Sequence, residues 1–451
     1  MDELTLRDPL KGEGPGQGLP HPESYWAAIS GPAPDDDGPL LGDHDTDVAV
    51  IGGGYTGLSA AYFLGKHHGM KAVVLEANRP GWGCSGRNGG FARPVIGRLG
   101  PGAMIKAWGL DTARRMFAEG HAALDTVRGF IAAGVDCDPS ASGHLKIAHR
   151  PACAATLAAD AEVLRTRFDY PSQLLSADEL RANHLGGPQS HGALVLKDAI
   201  GLNPLKLSFG VLRLARAQGA MVMSGSPVNG WTKEGKHHLL ATPKGRVRAR
   251  QVLIATNGYT PEGLHASVRG TLLPVLSHII VTRPMTPSEK AEAAFHTSHV
   301  ITDTRNLLYY FRRMPDERIL FGGRGQITDS PESRAAQRGF LLAELKRKCP
   351  ALSSITVDYD WCGWVCITRD QMPHIHHAED DVTVSYALGY QGSGVAAGLH
   401  AGRLAADRLA GKPLPALGPA LSPLPRFPFA AFRRAGQRAA FVWYKFKDER
   451  T

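Results

Sequence analysis

At 451 residues, with 43% hydrophobic and 21% charged residues, the chain has an ordinary globular composition and is long for one compact core, so two domains sharing an interface are expected. It contains no run apolar and long enough for a membrane span, and its acidic, Gly- and Pro-rich start lacks the basic and apolar regions of a signal peptide, which points to a cytoplasmic protein with no membrane insertion. Six dispersed cysteines argue against a disulfide framework; Cys362 and Cys366, followed by His374, His376 and His377, match no usual zinc spacing, so no metal is expected.

The net charge of +9 is unevenly placed, with acids concentrated in residues 1–47 and bases in residues 424–451. A basic body suits an anionic substrate, a nucleic acid or an acidic membrane face, and equally suits solubility alone. Residues 1–42 read as a tail that forms little core of its own, pinned to the body by Tyr25 and Trp26. From Asp47 the pattern changes. Val48-Ala49-Val50-Ile51 reads as a buried parallel strand, 58–64 as a helix, and Ala72-Val73-Val74-Leu75 as a second strand. Helices are expected over 103–133, 153–167 and 203–218, the last opened by Asn203-Pro204 as cap and first-turn proline. A strand at 221–224, hairpin material over 235–255, antiparallel strands within 272–283 and 307–324, a strand at 382–388 and a helix over 396–409 follow.

The sharpest motif is Gly52-Gly53-Gly54-Tyr55-Thr56-Gly57, a G-x-G-x-x-G between an expected strand and an expected helix. Such glycines permit a tight turn, backbone approach to a pyrophosphate, and close helix–strand packing, with the phosphate charge on a helix N-terminus. Glu76 then closes the second strand, where a carboxylate accepts from both ribose hydroxyls and disfavours a 2′-phosphate. NAD and FAD both satisfy this much. The loop Arg79–Gly90 separates them, since its glycines, with Ser85, Gly86, Arg87, Asn88, Gly89 and Gly90, suit an extended ligand that a nicotinamide enzyme does not present there. Far along the chain, Gly389-Tyr390-Gln391-Gly392-Ser393-Gly394-Val395 precedes a helix whose N-terminal amides suit the N1–C2=O edge of a reduced flavin.

With these motifs, together with Ile367–His374, the chain resembles the D-amino-acid oxidase superfamily of FAD enzymes, and within it the gamma-glutamylputrescine oxidase group. The resemblance implies an α/β fold with a discontinuous Rossmann-type FAD-binding domain and an α+β substrate domain whose mostly antiparallel sheet roofs the flavin. Its segments are expected as an N-terminal tail at 1–42, FAD-binding segments at 43–98, 198–265 and 358–412, substrate-domain segments at 99–197 and 266–357, and a basic extension at 413–451. It also implies adenine contact through the Val228 backbone, with Ala77 beside Glu76 in the cofactor site. Thr256-Asn257-Gly258 follows the third FAD strand, with Asn257 departing from the usual Ala-Thr-Gly. Some relatives attach flavin through a cysteine near the C-terminal motif; Cys362 and Cys366 flank it without a clear match, so non-covalent FAD is expected.

The implied reaction is oxidation of an amine to an imine, hydrolysed to aldehyde and ammonia, with oxygen or another acceptor taking the electrons. A gamma-glutamylated polyamine such as gamma-glutamylputrescine is the first substrate expectation, which places the enzyme in polyamine catabolism. Sarcosine or glycine is the second, and a tRNA-modifying flavoprotein is the alternative of another class, although no nucleic acid is expected. Tyr309, Tyr310, Arg324, His144 and His278 are the substrate-pocket candidates, and each has an ordinary core or surface explanation beside the functional one. No catalytic base is identifiable. The basic C-terminal extension, with Phe427, Phe429, Phe432, Phe441, Trp443 and Tyr444, suits packing on the enzyme's own body better than a membrane surface.

Overall fold

A computed structural model describes residues 5–12, 14, 16–140 and 143–450. Two eight-stranded sheets organise it. The first runs in the order His374–His377, Val384–Leu388, Gly245–Ile254, Gly42–Ile51, Ala72–Leu75, Met221–Met223, and is parallel apart from its first strand. The hairpin Gly230–Glu234 and His237–Ala241 adds to it antiparallel against Gly245–Ile254. The inner strands are continuous apolar runs because both faces are covered, as in parallel sheets generally.

Helices Tyr55–His68 and Gly394–Leu409 lie against each other on one face of this sheet. A Cβ at Gly402 would stand 2.5 Å from the Thr56 carbonyl oxygen, so only glycine permits this approach. Ser59 Oγ donates to the Leu399 carbonyl at 2.6 Å across the same seam. The contact brings the two glycine turns, far apart in sequence, to one edge of the sheet.

The second sheet runs Val357–Thr368, Leu272–Thr282, Ile319–Arg324, Tyr310–Arg313, Val300–Asp303, His144–Ile147, Ala193–Leu196, Gln173–Leu175, and is antiparallel except between Val300–Asp303 and His144–Ile147. The strand beginning at Val357 thus belongs to this sheet, and the first sheet is rejoined only at His374. The expected helix over 103–133 is two helices, Pro101–Trp108 and Leu110–Ala132, broken at Gly109, whose φ of 79° is left-handed.

The N-terminal segment packs on the body. Ser24 caps the helix Tyr25–Ile29, Trp26 is fully buried, and its Nε1 donates to the Asn88 carbonyl at 2.8 Å. The helix Arg433–Arg450 at the other end docks through Arg434, which donates to Asp8 at 2.9 Å and to the Pro274 carbonyl at 2.6 Å. At its far end the Asp448 carboxylate accepts from the backbone N–H groups of Asn306 and Leu307. Phe429, Phe432, Trp443 and Phe446 remain exposed on this extension.

Candidate functional site

Two adjoining cavities lie between the sheets. The smaller, about 210 Å³, is lined by Gly52, Gly54, Tyr55, Thr56, Glu76, Ala77, Ser85, Val228, Thr256 and Asn257. The larger, about 480 Å³, is lined by Arg87, Gly89, Tyr310, Arg324, His144, Gln391 and Ser393, among others. Cys84, Asn88, Val365, Gly392 and Val395 line both, so the two form one elongated space running from the first sheet to beneath the second.

At the small end, strand and helix meet as the glycines require. A Cβ on Gly57 would lie 1.9 Å from the Gly52 carbonyl oxygen, and Gly52 itself has φ of 108°. Gly53 lies behind the cavity, donating its N–H to Glu76 Oε2 at 2.7 Å, while Asn78 N–H donates to Oε1 at 2.9 Å. Burial pushes the Glu76 carboxyl pKa up and these amides oppose it, so the oxygens are fixed in direction while still facing the cavity. Tyr55 N–H, first of its helix, donates to Ser85 Oγ at 2.9 Å.

The 82–90 loop is held from several sides. Arg87 stacks on Trp82 with 4.1 Å to the ring centroid and donates to the Trp82 and Cys362 carbonyls at 2.7 and 3.1 Å, so these donors brace the loop and tie it to the strand Val357–Thr368. Asn88 donates to the Cys84 and Ser85 carbonyls and accepts from Gly90 N–H. Gly86 and Gly90 line neither cavity; a Cβ at Gly86 would stand 2.4 Å from the Gly81 carbonyl oxygen and one at Gly90 1.9 Å from that of Leu202.

The C-terminal turn closes the junction. Asn257, at φ of 44°, accepts from Gly389 N–H at 2.9 Å, tying the third strand of the first sheet to this turn. Gly258 packs behind, where a Cβ would lie 2.3 Å from the Trp364 carbonyl oxygen. Gln391 donates to Thr368 Oγ1 and the Gly389 carbonyl, both at 2.7 Å, while its buried Oε1 has no partner among the described residues. The helix starting at Gly394 has no side-chain cap, so its first amides remain available at the wall that Gly392, Gly394 and Val395 form.

At the large end the candidates separate. Tyr310 lines the cavity, with its hydroxyl 2.9 Å from Ser277 Oγ and its ring lying over Gly322, where a Cβ would come within 2.2 Å. Tyr309, the residue just before this strand, faces the opposite way and packs on Phe321 in the core. Arg324 lies on an interior strand and faces the cavity, its Nη2 donating to the Gln391 carbonyl at 3.1 Å. His144 also faces it, 2.8 Å from Thr302 Oγ1, and burial followed by the Arg93 and Lys146 charges lowers its pKa well below the ordinary histidine range, so it is neutral. His278 is fully buried, hydrogen-bonded to Gln326 and Asp360 at 3.1 Å, and touches neither cavity.

The thiols divide similarly. Cys362 donates to Asp329 at 3.2 Å away from both cavities, whereas Cys366 lines the smaller one. Cys84, at the junction, donates to the Trp364 carbonyl at 2.8 Å, and burial pushes its pKa up to about 12, which keeps it protonated. Sequence reasoning missed Arg93 and Arg98 on the larger cavity and Gly14 and Gln17 of the N-terminal segment on the smaller. No local pattern marks them; they meet the site only through the fold. Among the described residues no group of His, Cys, Asp and Glu is gathered to hold a metal, and no helix is long and apolar enough to cross a membrane.

The family profile of the FAD dependent oxidoreductases (DAO) matches residues 47–408. The gamma-glutamylputrescine oxidoreductase of Escherichia coli strain K12 is 30% identical over 424 residues, covering 92% of this chain and 94% of that protein. The glycine oxidase of Bacillus subtilis strain 168 is 22% identical over 380 residues, covering 81% and 93%. The crystal structure of glycine oxidase from Geobacillus kaustophilus superposes with a TM-score of 0.71 at 20% identity, covering 85% of this chain and 100% of that one. The chain belongs to the DAO family: it is an FAD-dependent oxidoreductase acting on amines or amino acids. The parallel sheet with its glycine turn and the roofing antiparallel sheet are the two halves of that fold.

Proposed function

We propose that this enzyme oxidises the primary amine of a gamma-glutamylated diamine such as gamma-glutamylputrescine, with oxygen as the electron acceptor, and that FAD lies non-covalently along the joined cavities. The residues fit that cofactor. The Gly52–Gly57 turn admits a pyrophosphate, Glu76 presents carboxylate oxygens to ribose hydroxyls, Val228 lines the adenine end, and the uncapped Gly394 helix faces the junction where a flavin ring would lie. FAD, when bound, supplies the two-electron acceptor that turns the substrate C–N bond into an imine, which water hydrolyses to aldehyde and ammonia.

What the protein adds is position and protonation state. Tyr310, fixed by Ser277, and the Gln391–Gly392 turn bound the space in which the amine must sit. A reacting amine must be neutral. Arg98 and Arg324 face the same cavity without an ion pair among the described residues, and guanidinium charge disfavours an ammonium beside it. Asp160 and Asp303, the acids there closest to bases, are paired with Lys146 and Arg305. His144 is neutral and does not add to this charge.

The observation carrying the substrate reading is the extent of the larger cavity, which runs from the junction where a flavin ring would lie as far as His144, Lys146 and Asp160, farther than glycine or sarcosine reaches. The likeness to the Escherichia coli enzyme supports it. The test is anaerobic mixing of the flavin-loaded enzyme with each amine. Gamma-glutamylputrescine is expected to bleach the visible flavin band while sarcosine and glycine leave it; bleaching by the small amino acids alone would overturn the reading.

A further inference from the structure

Arg93 is placed oddly for a structural arginine. It lies inside the protein, directly after the short strand contact between Phe91–Ala92 and Ile200–Gly201, yet keeps part of its surface toward the larger cavity. Its guanidinium has no hydrogen bond or ion pair among the described residues, whereas the neighbouring cations are engaged: Arg98 donates to the Asn306 carbonyl, Arg324 to that of Gln391, and Lys146 to Asp160. Burial lowers its pKa to about 10, which leaves it charged at neutral pH. An unpaired charge away from bulk water destabilises a fold. A guanidinium that lines a cavity with no acceptor for its donors is what a bound anion would complete.

The sheet sets the distance of this cation from the end where a flavin ring would lie. Arg324, beside the Gln391–Gly392 turn, sits on Ile319–Arg324. The strands Tyr310–Arg313, Val300–Asp303 and His144–Ile147 follow in order, and the Arg93 charge acts on His144. Three inter-strand steps span about 14 Å, the reach of roughly four extended residues. A molecule with one end at the flavin therefore needs considerable length to meet Arg93.

Resting on the amine-oxidase reading above, we infer that Arg93 is a specificity-determining residue that binds the carboxylate at the far end of an elongated amine, so that the enzyme selects amines carrying an anion distant from the oxidised carbon. A gamma-glutamylated diamine has such a carboxylate on its glutamyl head; a 4-aminobutyryl diamine of otherwise identical chain lacks it.

The experiment compares wild type with Arg93→Met and Arg93→Lys, each as the FAD-loaded enzyme, on those two amines. For Arg93→Met, KM for the gamma-glutamylated diamine is expected to rise about 10- to 100-fold with kcat nearly unchanged, the scale of losing a charge-assisted hydrogen-bonded pair. KM for the 4-aminobutyryl diamine should stay the same, and Arg93→Lys should recover part of the difference. Removing an unpaired buried charge should leave the melting temperature at or above that of wild type. Equal KM ratios in wild type and Arg93→Met would overturn the inference and leave the amine-oxidase reading standing. A second measurement works even if neither amine is oxidised: calorimetric binding of gamma-glutamyl-butylamide, which keeps the carboxylate and lacks the reacting amine. Binding that weakens in Arg93→Met by a similar factor supports the assignment, and binding that is absent in wild type or indifferent to the substitution contradicts it.

Discussion

Glu76 carries the nucleotide end of the site on one side chain. Its two oxygens each take a backbone N–H, from Gly53 and Asn78, which orients the carboxyl group and opposes the burial that pushes its pKa up. Replacing it with alanine should weaken FAD binding about 10- to 100-fold, given about 1.5–3 kcal/mol for hydrogen bonds to a charged group, and glutamine should recover part of this. Titration of apoprotein with FAD, read by flavin fluorescence, checks it; an unchanged affinity in the alanine variant would remove Glu76 from the ribose site. This residue was legible in the sequence because strand, turn, helix and second strand are local, with fixed spacing between glycine and acid. The amine end was not. Tyr309 and Tyr310 are adjacent where a strand begins, and alternation sends one ring to the core and the other to the cavity, a choice that depends on which face the sheet covers. His278 has the ordinary explanation, a buried ring satisfied by Asp360 and Gln326, partners that lie far along the chain and leave no local pattern.

At the scale of elements, the N-terminal segment is more than a tail. Its Gly14 and Gln17 line the smaller cavity, Asn78 joins it through the Gly16 carbonyl and Gly18 N–H, and Leu6 N–H donates to Asp329 at 2.6 Å. Composition alone could not reveal this, because glycine-rich sequence gives no periodicity to read and the ordering groups lie hundreds of residues away. Asp329 gives the attachment a pH dependence. Burial raises its pKa, and the Arg334 pair with the Leu6 N–H outweighs burial, leaving the carboxyl below its ordinary value. A depressed folded-state value stabilises the fold above the unfolded pKa of about 3.9, and this contribution is lost as pH falls through the folded value. The difference in urea midpoint between wild type and Asp329→Asn should therefore be constant from neutral pH down to about 5 and shrink below about 4. Asp329→Asn should lose about 1–3 kcal/mol at neutral pH and show a shallower acid limb. Equal acid limbs in both proteins would contradict that assignment.

Across the whole molecule, two sheets built from interleaved segments enclose one elongated space. The seam between helices Tyr55–His68 and Gly394–Leu409 sets the two glycine turns at the same edge, and the Gly389–Asn257 hydrogen bond locks the later turn onto the earlier strands. The parallel sheet was readable from its apolar runs. The order of the roofing sheet was not, since it pairs strands from three separated stretches, including one that runs from Val357 to Thr368 just before the chain rejoins the first sheet. Ligand that bridges both sheets should stabilise the folded chain by mass action, about 2.7 kcal/mol at a hundredfold excess over its Kd. The most direct measurement of this arrangement is the flavin content of the purified and reconstituted protein, determined after denaturation. One FAD per chain, released intact without proteolysis, is the expected result; a protein that is colourless as purified and takes up no FAD on reconstitution would contradict it.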